Sequence, residues 1–128
     1  MSTLSAANIQ SQSADTPPVI KDLNGTEVGQ FVKAWARLDQ DTETVITGFN
    51  VASMDEIATG RFSVTFTNAM ANANYVAVGL SGNETGNTTG NRSIVRDGTW
   101  TTTSASFRVF TQTSEITDDG ICLIFCGD

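Results

Sequence analysis

The sequence predicts an all-β protein: an antiparallel β-sandwich or jelly-roll-like domain with an extended N-terminal arm. Three observations lead there. Apolar residues recur at every second position in several short runs, and no segment carries an apolar period of 3.6 residues. The chain holds 19 Thr, 11 Ser, 9 Asn and 11 Gly among 128 residues, which is strand-and-turn chemistry. Turn signals punctuate the runs at roughly 10-residue spacing, as expected of an antiparallel sandwich. A chain of 128 residues with 39% hydrophobic residues is enough for one domain around a modest core.

Residues 1–20 form the predicted arm. They are Ser-, Ala-, Gln- and Asn-rich with isolated apolar residues at Leu4 and Ile9, and Pro17-Pro18 resists both helix and central strand. Leu4 and Ile9 are its candidate anchors on a partner. The β-domain is expected over 21–128. Asn24-Gly25, between Val19-Ile20 and Val28, signals a tight turn of the type I′ kind. In 30–38, Val32, Ala34, Ala36 and Leu38 share one face and Phe31, Lys33, Trp35 and Arg37 the other. Both faces are semi-apolar, which predicts a strand covered on two sides.

After a polar turn at 39–43, 44–52 reads as one strand with Val45, Thr47, Phe49 and Val51 in register. Ser53 to Thr59 reads as a loop or single turn, with Ser53 and Glu56 spaced as a cap. Arg61 to Thr67 is the cleanest strand, with Phe62, Val64 and Phe66 opposed by Arg61, Ser63, Thr65 and Thr67. Asn74 to Leu80 follows, then a Gly/Asn/Thr stretch over 81–91 in which nothing can be buried. Ile94-Val95, Ser106 to Phe110 and Ile121 to Cys126 complete seven or eight strands. Trp35 and Phe62 are the rings whose loss should unfold the domain or break its oligomer.

Charge and composition narrow the function. Seven Lys+Arg against 14 Asp+Glu leave a net charge of −7, so the chain cannot neutralise a run of phosphates, which argues against nucleic acid and anionic membrane. Zero histidines remove Ser-His-Asp and Cys-His nucleophile pairs and HExxH zinc sites. No apolar run approaches the roughly 20 residues that span a bilayer, and Met1-Ser2-Thr3-Leu4 does not read as a secretory signal, so synthesis in a cytosol without membrane insertion is expected.

No constellation for catalysis stands out. Asp39-Gln40-Asp41-Thr42-Glu43 begins like a calcium loop, but Thr44 stands where the turn needs Gly and Asn50 where a bidentate Glu belongs; an acidic turn is the better reading. Asp55/Glu56 and Asp118/Asp119 are adjacent carboxylates in turn-like sequence, not a pair across a cleft. Cys122 and Cys126 would lie roughly 13 Å apart along a strand, too far to bond, and read as buried small hydrophobes. The expectation is therefore a non-enzyme without cofactor or metal. The first reading of the loop region and its flank is a solvated loop with Tyr75 and Trp100 as core aromatics; the second is surface recognition through Asn83, Asn87, Asn91, Arg92 and Arg96, with the two rings near enough in sequence to stack on a sugar.

Four stretches then carry a resemblance: Phe31 to Asp39 (Phe-Val-Lys-Ala-Trp-Ala-Arg-Leu-Asp), Ile46 to Ser53 (Ile-Thr-Gly-Phe-Asn-Val-Ala-Ser), Gly60 to Met70 followed by Asn74-Tyr75, and Ser104 to Phe110. In this order and spacing they resemble a small β-domain of tailed-phage fibre and virion-surface proteins, over most of residues 30–126. The opening Met-Ser-Thr-Leu and the Asn24 to Glu27 turn are similar to short virion proteins of marine phages. The resemblance implies a virion location, a homotrimer, attachment to other virion proteins through the arm, and no catalytic residues. It leaves two functions open: a tail-fibre tip binding host surface glycan, or a capsid decoration (head fibre) protein. Cys122, Cys126 and the 81–91 loop depart from the pattern, so no ligand is carried over.

Overall fold

The computed structural model describes residues 20–29, 31–82, 92–111 and 120–127. Two compact units divide at Phe31/Val32. In the first, β1 (Ile20–Lys21) and β2 (Glu27–Gly29) pair as an antiparallel hairpin. Its turn differs from the type I′ expected. Gly25 alone has a positive φ, 81°, its N–H donates to the Asp22 carbonyl at 3.1 Å, and the Asp22 N–H donates to the Thr26 carbonyl at 2.9 Å. This is a three-residue loop closed by a left-handed glycine, and it is tightened by the Asp22 carboxylate, which accepts from the N–H groups of Asn24 and Thr26, both at 2.9 Å.

The second unit is a β-sandwich. Its strands are β3 (Ala34–Asp39), β4 (Thr44–Phe49), β5 (Val51–Ala58), β6 (Arg61–Phe66), β7 (Val76–Gly82), β8 (Arg92–Asp97), β9 (Ser104–Thr111) and β10 (Gly120–Cys126). Two wholly antiparallel four-stranded sheets result, ordered β4-β3-β10-β7 and β5-β6-β9-β8, here the first and second sheet. The sandwich expected from the alternation is what forms, without a helix among the described residues.

The central strands supply the core. Ala34, Ala36 and Leu38 of β3 and Ile121, Leu123 and Phe125 of β10 face Phe62, Val64 and Phe66 of β6 and Ala105, Phe107 and Val109 of β9, all buried. Alanines set against phenylalanines let the two layers interdigitate at interior density. At one end Tyr75 stacks on Trp100 with centroids 5.2 Å apart, and Phe66 and Phe125 meet the Tyr75 ring edge-on. Their polar atoms are satisfied: the Tyr75 hydroxyl donates within 3.0 Å of the Thr101 and Ser104 carbonyls, and Trp100 Nε1 donates to the Ser106 carbonyl at 2.9 Å.

Several expectations are corrected. The strand expected over 44–52 is broken at Asn50, whose φ of 57° sends the chain from β4 in the first sheet to β5 in the second. Ser53 to Thr59 is no loop: most of it lies in β5, an edge strand anchored by buried Met54 and bulged at both ends of its pairing with β6. A single inward apolar residue among exposed ones is too faint a signal for period-two reading. Trp35 is 40% exposed and belongs to no core; Trp100 occupies that role. Cys122 is exposed, because Ile121, Leu123 and Phe125 take the inward side of β10.

Candidate functional site

The two sheets turn unlike faces outward. On the first, register fixes which side chains stand together. Trp35 pairs with Phe49 on one side and Ile124 on the other, and Ile124 pairs with Val78, so the row Phe49–Trp35–Ile124–Val78 crosses all four strands. The parallel row Thr47–Arg37–Cys122–Leu80 lies one pleat away, and Val76 opposes Cys126. Phe49, Trp35, Ile124, Val76, Val78 and Leu80 each leave between 40% and 76% of their surface in water. Cross-strand apolar neighbours of this kind form one continuous patch. Strand β3 was expected to be covered on both sides; in the single chain only its Ala34–Ala36–Leu38 side is covered.

The second sheet faces outward with hydroxyls and ions. Asp55–Ser63–Ser106–Asp97 and Ser53–Thr65–Ser104 run across its strands, beside the row Ala58–Arg61–Arg108–Val95. Two guanidinium groups share one carboxylate there: Arg61 Nε and Nη2 lie 2.9 and 2.7 Å from Asp97 Oδ2, and Arg108 Nη2 lies 3.2 Å from Oδ1. Charge-assisted bonds tie both guanidinium groups to a carboxylate only 17% exposed.

Of the residues expected to recognise a ligand, Arg92 and Arg96 lie on β8, four positions apart on one side of the strand. Arg96 places its guanidinium 4.9 Å above the Trp100 ring and donates from Nε to the Gly98 carbonyl at 3.2 Å. Tyr75 and Trp100 are core aromatics and not a sugar platform: both rings are buried and stacked on each other, with Arg96 over the Trp100 ring. Asn83, Asn87 and Asn91, the arm anchors Leu4 and Ile9, and Asp118/Asp119 lie outside the described residues.

The acidic segment 39–43 forms the β3–β4 turn: Asp39 Oδ1 accepts from the Thr42 N–H at 3.3 Å, and Glu43 takes a left-handed φ of 50°. Asp55 and Glu56 do not converge, since Asp55 opposes Ser63 and accepts from the Ser53 hydroxyl at 3.3 Å, whereas Glu56 opposes Phe62 across the bulge. Among the described residues no group of three Cys, Asp or Glu could hold a metal ion. No helix among them is long and apolar enough to cross a membrane.

The apolar outer face was missed by sequence reasoning, although its signal was present. In Val76 to Ser81 large apolar residues alternate with Ala77, Gly79 and Ser81. The usual assignment sends the large ones inward; the structure sends them out. Comparison with protein-family models, with curated proteins and with solved structures finds no match to this chain.

Proposed function

We propose that this chain is a bacteriophage virion structural protein, a short trimeric fibre on the particle surface that binds host surface glycan. The observation that carries the reading is the inequality of the outer faces: one sheet presents large apolar side chains across all four strands, the other hydroxyls and a braced Arg61–Asp97–Arg108 cluster. A body of this kind is suited to an assembly in which one side is hidden and the other displayed. The resemblance to tailed-phage surface domains supplies the location, and residues 1–20 the attachment to other virion proteins.

Ser63, Thr65, Ser104 and Ser106 offer donors and acceptors to sugar hydroxyls on the side of the sheet that also carries Arg61, Asp97 and Arg108. Three weak sites on one rigid trimer gain effective concentration against a repetitive cell surface, so modest single-site affinity suffices. The same two faces also suit a capsid decoration protein that clamps the head, which is the alternative. Mass spectrometry of purified particles, quantified against the major capsid protein, tests both. A few trimers per particle identify a tail fibre, tens to hundreds a head protein, and absence of the chain from particles refutes the virion reading.

A further inference from the structure

We infer that the outer face of the β4-β3-β10-β7 sheet is covered by a second copy of this chain, with β7 and β10 at the contact. The inference concerns the assembly itself and does not depend on the particle to which the chain belongs.

The six apolar side chains exposed on this face amount to roughly 600 Å², the upper end for the largest patch of a lone monomer. Each partner in a stable protein–protein interface contributes about 800 Å², so the patch nearly fills that requirement without help from polar rim residues.

The chain as a whole carries −7, which sets copies against one another at most orientations. Among the described residues this face carries none of the excess: Arg37 and Asp39 stand two positions apart on β3, and Lys33 lies at the border. Copies approaching through it avoid the repulsion that other faces impose.

Natural sheets blunt a free edge with charge, proline or a bulge. Strand β5 carries Asp55 and Glu56 and is bulged; β8 carries Arg92, Arg96 and Asp97; the β4 pairing with β3 is bulged between Arg37 and Leu38. Strand β7, Val-Ala-Val-Gly-Leu-Ser-Gly, has none of these devices, pairs with β10 in unbroken register, and shows the most exposed apolar residues of the face, Val78 at 70% and Leu80 at 76%. Among the described residues no strand pairs with its outer edge. A bare apolar face that runs out to an edge without these devices fits a sheet whose outer side, β7 included, lies under another copy.

Sedimentation velocity of the full chain tests this. The wild type should sediment as a multiple of 13.6 kDa. The double variant Val78→Lys/Leu80→Lys, altered only at side chains that already stand in water, should sediment as a single chain with an unchanged circular dichroism spectrum. Val95→Lys, on the outer face of the second sheet, should leave the oligomer intact. A second readout guards against a variant that fails to fold. With Cys126→Ser as background, the Cys122 thiol at the centre of the face should react slowly with a thiol reagent at high protein concentration and rapidly on dilution.

A monomeric wild type overturns the inference, whether the thiol is then open or is shielded by the chain's own N-terminal residues or another protein. So does an oligomer that survives the double lysine variant, or thiol reactivity that ignores concentration. A monomer found in particles removes this interface and the trimer but leaves the virion location; an oligomer absent from particles removes the virion reading and leaves the interface.

Discussion

Asn50 gives the sharpest test of how the sandwich is joined. It is the one residue between β4 and β5, it holds a left-handed φ of 57°, and its side chain ties that corner to the segments just before β3 and just after β6. Its Nδ2 donates to the carbonyls of Lys33 and Asn68 at 3.1 and 3.2 Å, and its Oδ1 accepts from the Asn68 N–H at 2.7 Å. Asn50→Ala removes all three bonds and leaves a Cβ-bearing residue without local compensation in left-handed backbone. Three partly exposed bonds contribute about 0.5 to 1 kcal/mol each, and the backbone conformation costs alanine about 1 kcal/mol, so the loss should be about 2.5 to 4 kcal/mol.

Asn50→Gly loses the same bonds but not the conformation, and should be less destabilising than alanine by about 1 kcal/mol. Urea unfolding followed by tryptophan fluorescence reads both variants. With a slope of about 2 kcal/mol per molar, the alanine midpoint should fall by about 1 to 2 M with the slope unchanged. An alanine variant destabilised by less than about 1 kcal/mol, or equal effects of glycine and alanine, would refute the corner's role.

Three further outcomes are expected. Phe62→Ala, at a fully buried ring stacked 5.5 Å from Phe107, should lose about 3 to 5 kcal/mol in urea unfolding, whereas Trp35→Ala should lose less than about 2 kcal/mol in dilute solution while weakening self-association; the reverse order would show the core misassigned. Gly48→Ala should cost about 1 to 3 kcal/mol by thermal unfolding, because its new Cβ would stand 2.7 Å from the Trp35 carbonyl oxygen and 3.2 Å from Ala36 Cβ, and a neutral result would mean that β3 and β4 separate freely. Burial pushes the Tyr75 hydroxyl up to about 12, against a smaller opposing pull from Arg96. The unfolded chain releases this proton near pH ~10, ahead of the folded one, so the stabilisation is complete below that pH and is lost as pH rises toward 12. Since Tyr75 is the chain's only tyrosine, tyrosinate absorbance reads it directly, and a folded-state midpoint near ~10 would contradict the burial.

By itself the sequence determined the all-β class, strand β6 with its Phe62–Val64–Phe66 stripe, and the chain segments that become β3, β9 and β10. Period-two alternation is a local property, and wherever one side is plainly polar it also states which side is buried. It falls silent where both sides are apolar or small. In β7 only the tertiary structure decided: a Cβ at Gly79 would come within 2.7 Å of Leu123 and 2.9 Å of Ile94, so that side must be small, and Val76, Val78 and Leu80 are left facing water. In β10, Ile121, Leu123 and Phe125 take the interior and put Cys122 and Ile124 on the surface; in β3 the alanines pack inward and Trp35 is turned out. The corner at Asn50 escapes sequence reading for the same reason. Its left-handed turn is held by bonds to Lys33 and Asn68, partners 17 and 18 residues away, and no local pattern encodes a contact whose other half is brought there only by the fold.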